Sequence, residues 1–354
     1  MTATKAAPAA ITMHPAIDIH SHMLCDEWLE LIRAHGAPKF SVAQTADGRT
    51  WIHLDGVRFM FPQPEMFDYG QRLRAMDAAG VDMAVLSLTG PNVYWGGEAV
   101  STRAARVMND SFAAAQAAHP DRFRWLASLP FQYPGSAVEE LARAVDAGAT
   151  GVMVLTNIDG LPPTDPLFEP VFAEIDRRRL PVFMHPTVCS CAGMEVFQLT
   201  ASVGYPFETA LVVSRMMMDG FFDRHPSLDL ILAHGGGALG ALMPRIDRCH
   251  EAYADAHSKV AAKPGSYLHR LRVDSVLYSD RALADAIETF GERNVLFGSD
   301  FPHAIADLAG TLERIGRLPP AIRDRVRGAN AAELFGIDCG TSPGSADASG
   351  ARLR

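Results

Sequence analysis

Eight short apolar runs, each separated from the next by an amphipathic stretch, constrain the fold of this chain more than any other feature. They are AIDIH (16–20), VDMAVLSL (81–88), FRWLASL (123–129), TGVMVL (150–155), PVFMH (181–185), LDLILAH (228–234), LRVDS (271–275) and NVLFGSD (294–300). Most show no polar alternation, as expected of strands covered on both faces. The segments between them, such as STRAARVMNDSFAAAQAAH and AVEELARAVDA, carry helical periodicity. Gly80 and Gly148 stand as stops after two of these, and Asp165-Pro166 opens a third. The alternation predicts an α/β protein. A closed (β/α)8 TIM barrel is its economical form, and an open doubly wound sheet is the rival. No GxGxxG follows the first run, which removes the commonest reason to prefer the open form.

A length of 354 residues suits one barrel domain. We expect that domain over residues 16–338, with a disordered leader (1–15) and a disordered Gly/Ser/Ala-rich tail (339–354). Residues about 36–65 break the pattern with short β-prone runs around Asp47-Gly48 and Asp55-Gly56. They predict a small β insertion after strand one.

The formal charge of −9 is spread along the chain without a basic patch, so neither nucleic acid nor an anionic membrane is expected as a partner. No apolar run reaches membrane-spanning length. Five cysteines in a chain this long argue against a disulfide framework and for reduced thiols in a cytoplasmic protein.

The candidate chemistry lies at the C-terminal ends of the runs. His20 and His22 close the first as His-Ser-His, His185 ends the fifth, His234 the sixth and Asp300 the eighth. Residues two apart on a strand share a face, and the C-terminal mouth is where barrel enzymes work. Each residue alone has an ordinary structural explanation, and Asp300 could simply cap a helix. Their recurrence at equivalent positions argues for a site. Imidazoles plus one carboxylate suit one divalent metal, zinc first and manganese second. His234, in AHGGGALG, is expected to act as a general acid/base or else as a further ligand.

DIHSH, MHP, AHGGG and GSDFPH, in that order, resemble the amidohydrolase superfamily. More narrowly, they resemble its non-oxidative decarboxylases, typified by aminocarboxymuconate semialdehyde decarboxylase. The resemblance covers about residues 16–338. It implies a barrel with one zinc, held by residues matching His20, His22, His185 and Asp300, with His234 matching the catalytic histidine. The lysine that bridges two metals in binuclear relatives has no counterpart in TGVMVLTNI. The same resemblance implies that Arg58, in GVRFMF, binds a substrate carboxylate. It further implies that Arg245, in GALMPRIDR, reaches a neighbouring active site across a homodimer. Thr187 and His303 depart from the muconate decarboxylase pattern, as does His-Ser-His from the Glu-x-His of other branches. The expected substrate is therefore a small carboxylic acid, unsaturated or aromatic, without further specification. In the expected mechanism Asp300 shares a proton with His234. Hydrolysis of a lactone, amide or C–C bond, or a hydration, is the alternative left open by the same ligand set.

Overall fold

The computed structural model describes residues 14–45, 48–187, 193–194 and 196–339. The expected disordered leader and tail lie almost wholly outside the described residues. The strands are β1 (Ile17–His22), β2 (Phe40–Gln44), β3 (Thr50–Leu54), β4 (Val57–Met60), β5 (Met83–Ser87), β6 (Phe123–Ala127), β7 (Gly151–Leu155), β8 (Val182–His185), β9 (Leu230–Leu232), β10 (Leu271–Asp274) and β11 (Val295–Leu296).

Eight of these form one parallel sheet in the order β1-β5-β6-β7-β8-β9-β10-β11. Its two edges meet. The Ile19 N–H donates to the Phe297 carbonyl at 2.9 Å, and the His22 N–H to the Phe301 carbonyl at 2.8 Å. The result is the (β/α)8 barrel expected from the alternation of apolar runs. Every residue of β1, β5, β7 and β8 is buried. One face fills the barrel and the other meets helices, so polar alternation has no place in them.

The local signals act where the sequence puts them. Gly80 ends the helix Tyr69–Ala79 at φ 74°, and Asp68 caps its start by accepting from the Gln71 N–H at 2.9 Å. Asp165 accepts from the Leu167 N–H at 3.0 Å and opens the turn that leads into the helix Glu169–Arg178. The insertion is a separate antiparallel sheet, β2-β3-β4. Asp55 and Gly56, both at positive φ, make its second turn. The first turn includes residues 46–47, which lie outside the described residues.

The structure departs from the sequence expectation at the C-terminal ends of the strands. LDLILAH and NVLFGSD read as seven-residue runs, yet the ladder holds only Leu230–Leu232 and Val295–Leu296. Beyond those residues His234 and Asp300 turn to φ 56° and 62°, which carries them out of the sheet and over the mouth. Among the described residues no helix is long and apolar enough to cross a membrane.

Candidate metal centre

His20 and His22 sit on β1, whose pairing with β5 carries an irregularity between Asp18 and Ser21. A bulge of this kind re-aims side chains, and here the two Nε2 atoms stand 3.0 Å apart. His185 arrives from β8 and Asp300 from beyond β11. One ligand atom from each of the four lies within 4.8 Å of all the others, and all four residues are buried.

Surrounding groups decide which imidazole nitrogens are free. The Asp274 carboxylate lies 2.6 Å from His20 Nδ1 and accepts a hydrogen bond from it. The Pro186 carbonyl, which can only accept, lies 2.7 Å from His185 Nδ1. Ser87 Oγ donates to the Ser21 carbonyl at 3.2 Å and so accepts from His22 Nδ1, also at 3.2 Å. Three Nδ1 atoms therefore hold protons, which turns three Nε2 lone pairs inward, as metal-binding histidines require.

Two further observations test the fit of a cation. Among the described residues His185 Nε2 is buried without a hydrogen-bond partner, and such an orphaned atom costs about 1–3 kcal/mol, while Asp300 Oδ1 faces the Nε2 atoms of His20 and His22 at 3.1 and 3.3 Å. Burial also pushes His22 down to about 3 and His185 well below the ordinary histidine value, so both stay neutral and able to ligate. For His20 burial is outweighed by the Asp300 charge and the Asp274 hydrogen bond, which raise it to about 10. Burial opposes ionisation of Asp300, but the His20 charge beside it holds its carboxyl well below the usual range. A proton on His20 and a cation at the centre are alternative ways to balance the same carboxylate. The residues fit a single divalent metal.

His234 stands at the edge of this group. Its Nε2 lies 3.7 Å from Asp300 Oδ2, and its ring stacks at 7° on Tyr205, 6.4 Å away. The His234 and Gly235 N–H groups donate to the Asp274 carboxylate at 2.9 and 2.8 Å, which fixes the left-handed turn. A Cβ on Gly235 would come within 2.3 Å of Leu277, so the glycine after His234 is required sterically as well as by its φ of 62°.

The structure thus brings together His20, His22, His185, His234 and Asp300. It does not bring the two arginines to them. Arg58 is exposed on β4, with its guanidinium 5.2 Å from the Trp51 ring. Arg245 is exposed on the helix Leu239–Ala252. Asp274 was not singled out from the sequence. Its signal was a charged residue at the end of an otherwise apolar strand, the criterion that had selected the others. His303, 3.1 Å from Thr89 Oγ1 and with its ring 5.1 Å from that of His22, is a second such neighbour.

A cavity of about 320 Å³ is lined by Leu155, the sheet partner of His185, and by Thr187, two residues after it, though not by the five residues of the centre themselves. Phe40, Leu54 and Phe59 wall it from the insertion, and Pro91, Tyr94 and Leu155 from the barrel. Lys39, Asn157, Asp159, Thr187 and Glu208 add polar groups.

Comparison with known proteins agrees with this geometry. The chain is 30% identical over 330 residues to the 2-amino-3-carboxymuconate-6-semialdehyde decarboxylase of Dictyostelium discoideum, covering 91% of this chain and 92% of that one. It matches the crystal structure of the 5-carboxyvanillate decarboxylase of Sphingomonas paucimobilis at a TM-score of 0.80 and 30% identity, covering 92% and 99% of the two chains. A dihydroxybenzoic acid decarboxylase from Polaromonas, solved with manganese and 2-nitroresorcinol, shares the fold at a TM-score of 0.75 and 24% identity, covering 92% and 98%. The amidohydrolase family model matches residues 17–337, and the chain belongs to that family.

Proposed function

We propose that this protein is a metal-dependent non-oxidative decarboxylase, a carboxy-lyase, acting on a small aromatic or unsaturated carboxylic acid. The observation that carries this reading is the division of labour at the barrel mouth. Four buried groups converge as ligands, while His234 stands beside them with its Nε2 free to exchange a proton.

When bound, a divalent cation supplies Lewis acidity that stabilises negative charge on substrate oxygens. The protein's own groups do the rest. His20, His22, His185 and Asp300 hold the ion. Asp274 and the Ser87 hydroxyl keep the tautomers that make this possible. The apolar walls from Phe40, Phe59 and Leu155 exclude water around the substrate ring or chain. His234, oriented by Tyr205 and by its backbone bonds to Asp274, delivers a proton to the carbon that bears the carboxylate, and the Asp300 charge, 3.7 Å from its Nε2, favours the protonated imidazole that does so. The carbon–carbon bond then breaks. Its electron pair restores the double bond that protonation had consumed, and CO2 leaves.

The cation is taken as zinc, because three imidazoles and one carboxylate suit it; the Polaromonas relative supports manganese as the second choice. Lys39, rather than Arg58, is the cation that lines the cavity. We infer a homodimer from the exposed Phe207 and Leu211, which stand on the helix packed against the one carrying Arg245. Arg245 would then serve the partner's site. A cytoplasmic location is supported by Cys25, Cys249 and Cys339, all free thiols.

The test is to incubate metal-loaded protein with carboxymuconate, resorcylate and carboxyvanillate acids and follow CO2. Release of CO2 from one of them is the expected result. Turnover of lactones without any release of CO2 would overturn the reading.

A further inference from the structure

We infer that Glu208 selects the substrate: its carboxylate accepts a hydrogen bond from a hydroxyl or amino substituent on the part of the acid remote from the departing carboxylate. The inference rests on the decarboxylase reading only in placing that carboxylate at the metal centre.

Glu208 lines the cavity and is 8% exposed. An ionised carboxylate offers about four acceptor positions. Among the described residues Glu208 receives one long hydrogen bond, from Asn157 Nδ2 at 3.4 Å. It forms no ion pair among the described residues, because the cation of the same cavity, Lys39, is already paired with Asp159 at 2.6 Å. Its remaining acceptor positions are available to donors that enter the cavity.

The location suits a substituent rather than the reacting group. Glu208 follows Tyr205 by three residues on the helix Tyr205–Met218, and the Tyr205 ring stands 6.1 Å from that of His185. Residues so spaced lie about 5–6 Å apart along one helix face, roughly the width of a six-membered ring. An acid with its carboxylate at the centre and its body in the cavity would bring its far edge among the residues that line it, Glu208 included. Glu208 would repel a second carboxylate there and would leave a bare C–H edge unrewarded. A hydroxyl or amine is the chemistry that fits.

The experiment compares the metal-loaded protein with Glu208→Gln on two matched sets of benzoic acids: one carrying hydroxyl or amino groups, the other with those groups replaced by hydrogen or methoxy. Dissociation constants are measured by calorimetry and kcat/KM by CO2 release. Glutamine keeps the shape and can still accept from Asn157, so the fold is retained. The expected result is a loss of roughly 10- to 100-fold for the donor-bearing acids. That loss should appear in binding and KM more than in kcat, with change below about threefold for the others. A loss equal in both sets, no loss in either, or no binding of any member by the parent protein overturns the assignment. The two readings fail separately. Selective binding without CO2 from any acid sinks the decarboxylase reading and leaves Glu208 in its role. CO2 release without selectivity does the reverse.

Discussion

Asp274 accepts a hydrogen bond from His20 Nδ1 at 2.6 Å while the same carboxylate holds the backbone N–H groups of His234 and Gly235. One buried side chain thus orients a candidate metal ligand and the candidate proton donor together. Its loss should disturb both.

Asp274→Asn keeps the shape but replaces a charged acceptor with an amide. Metal affinity is expected to fall roughly 10- to 100-fold, read by competition with a chelator. The activity remaining under saturating metal is expected to fall further, because His234 loses its fixed orientation. Full activity once metal is restored would show that Asp274 acts on the metal alone.

Asp300→Asn removes the carboxylate from the ligand set. Metal content is expected to drop from one ion per chain, with decarboxylation reduced by roughly a thousandfold or more. A chelator applied to the unaltered protein should abolish CO2 release, and added zinc or manganese should restore it. Activity that survives thorough chelation would contradict a metal-dependent mechanism.

Arg72 is almost fully buried and donates to the carbonyls of His22 and Phe301, with its guanidinium 4.6 Å from the Phe301 ring. It ties the end of β1 to the segment carrying Asp300. Arg72→Met takes a donor away from both carbonyls, leaving that of Phe301 with the His22 N–H alone, and removes the positive charge that offsets buried Asp18. A stability loss of about 3 kcal/mol is expected, measured by urea unfolding. A loss below 1 kcal/mol would mean the tie is dispensable.

His225 is buried against Phe221 and Phe172, at ring distances of 4.6 and 6.1 Å. Burial lowers its pKa below the usual 6.5, against the pull of Glu169. The folded protein therefore resists protonation more than the unfolded chain does. The stability this group permits is present above pH 6.5 and is lost as the pH falls through the lower folded value. His225→Phe should lose less stability than the parent between pH 7.5 and 5.5. Parallel unfolding midpoints for the two proteins would rule this out.

Arg245→Ala and His234→Ala subunits, each impaired alone, should regain part of the activity when mixed if Arg245 completes a partner's site. Sedimentation of the separate proteins checks that both form dimers. Mixtures that are no more active than their components would confine each site to one chain.

Much of the centre was legible because burial on both faces of a strand is written locally, as an unbroken apolar run. His20, His22 and His185 interrupt such runs at their C-terminal ends, so position alone marked them. Asp274 obeys the same rule, but one aspartate after LRV is indistinguishable from an ordinary strand-end residue until His20 stands beside it. Arg58 illustrates the opposite limit. The strand that carries it was expected, but which side chains of that strand face the cavity depends on how the insertion sheet lies over the barrel. Phe59 faces inward, while its neighbour Arg58 stacks on Trp51.

The barrel, the insertion and the residues able to gather at one mouth are readable along the chain, because strand period, turn residues and strand ends are properties of neighbouring positions. Which imidazole nitrogens are free, which carboxylate supports them and where Glu208 stands are settled by packing. Those depend on distances between groups far apart in the chain, such as the 254 positions that separate His20 from Asp274, and such distances exist only once the barrel closes.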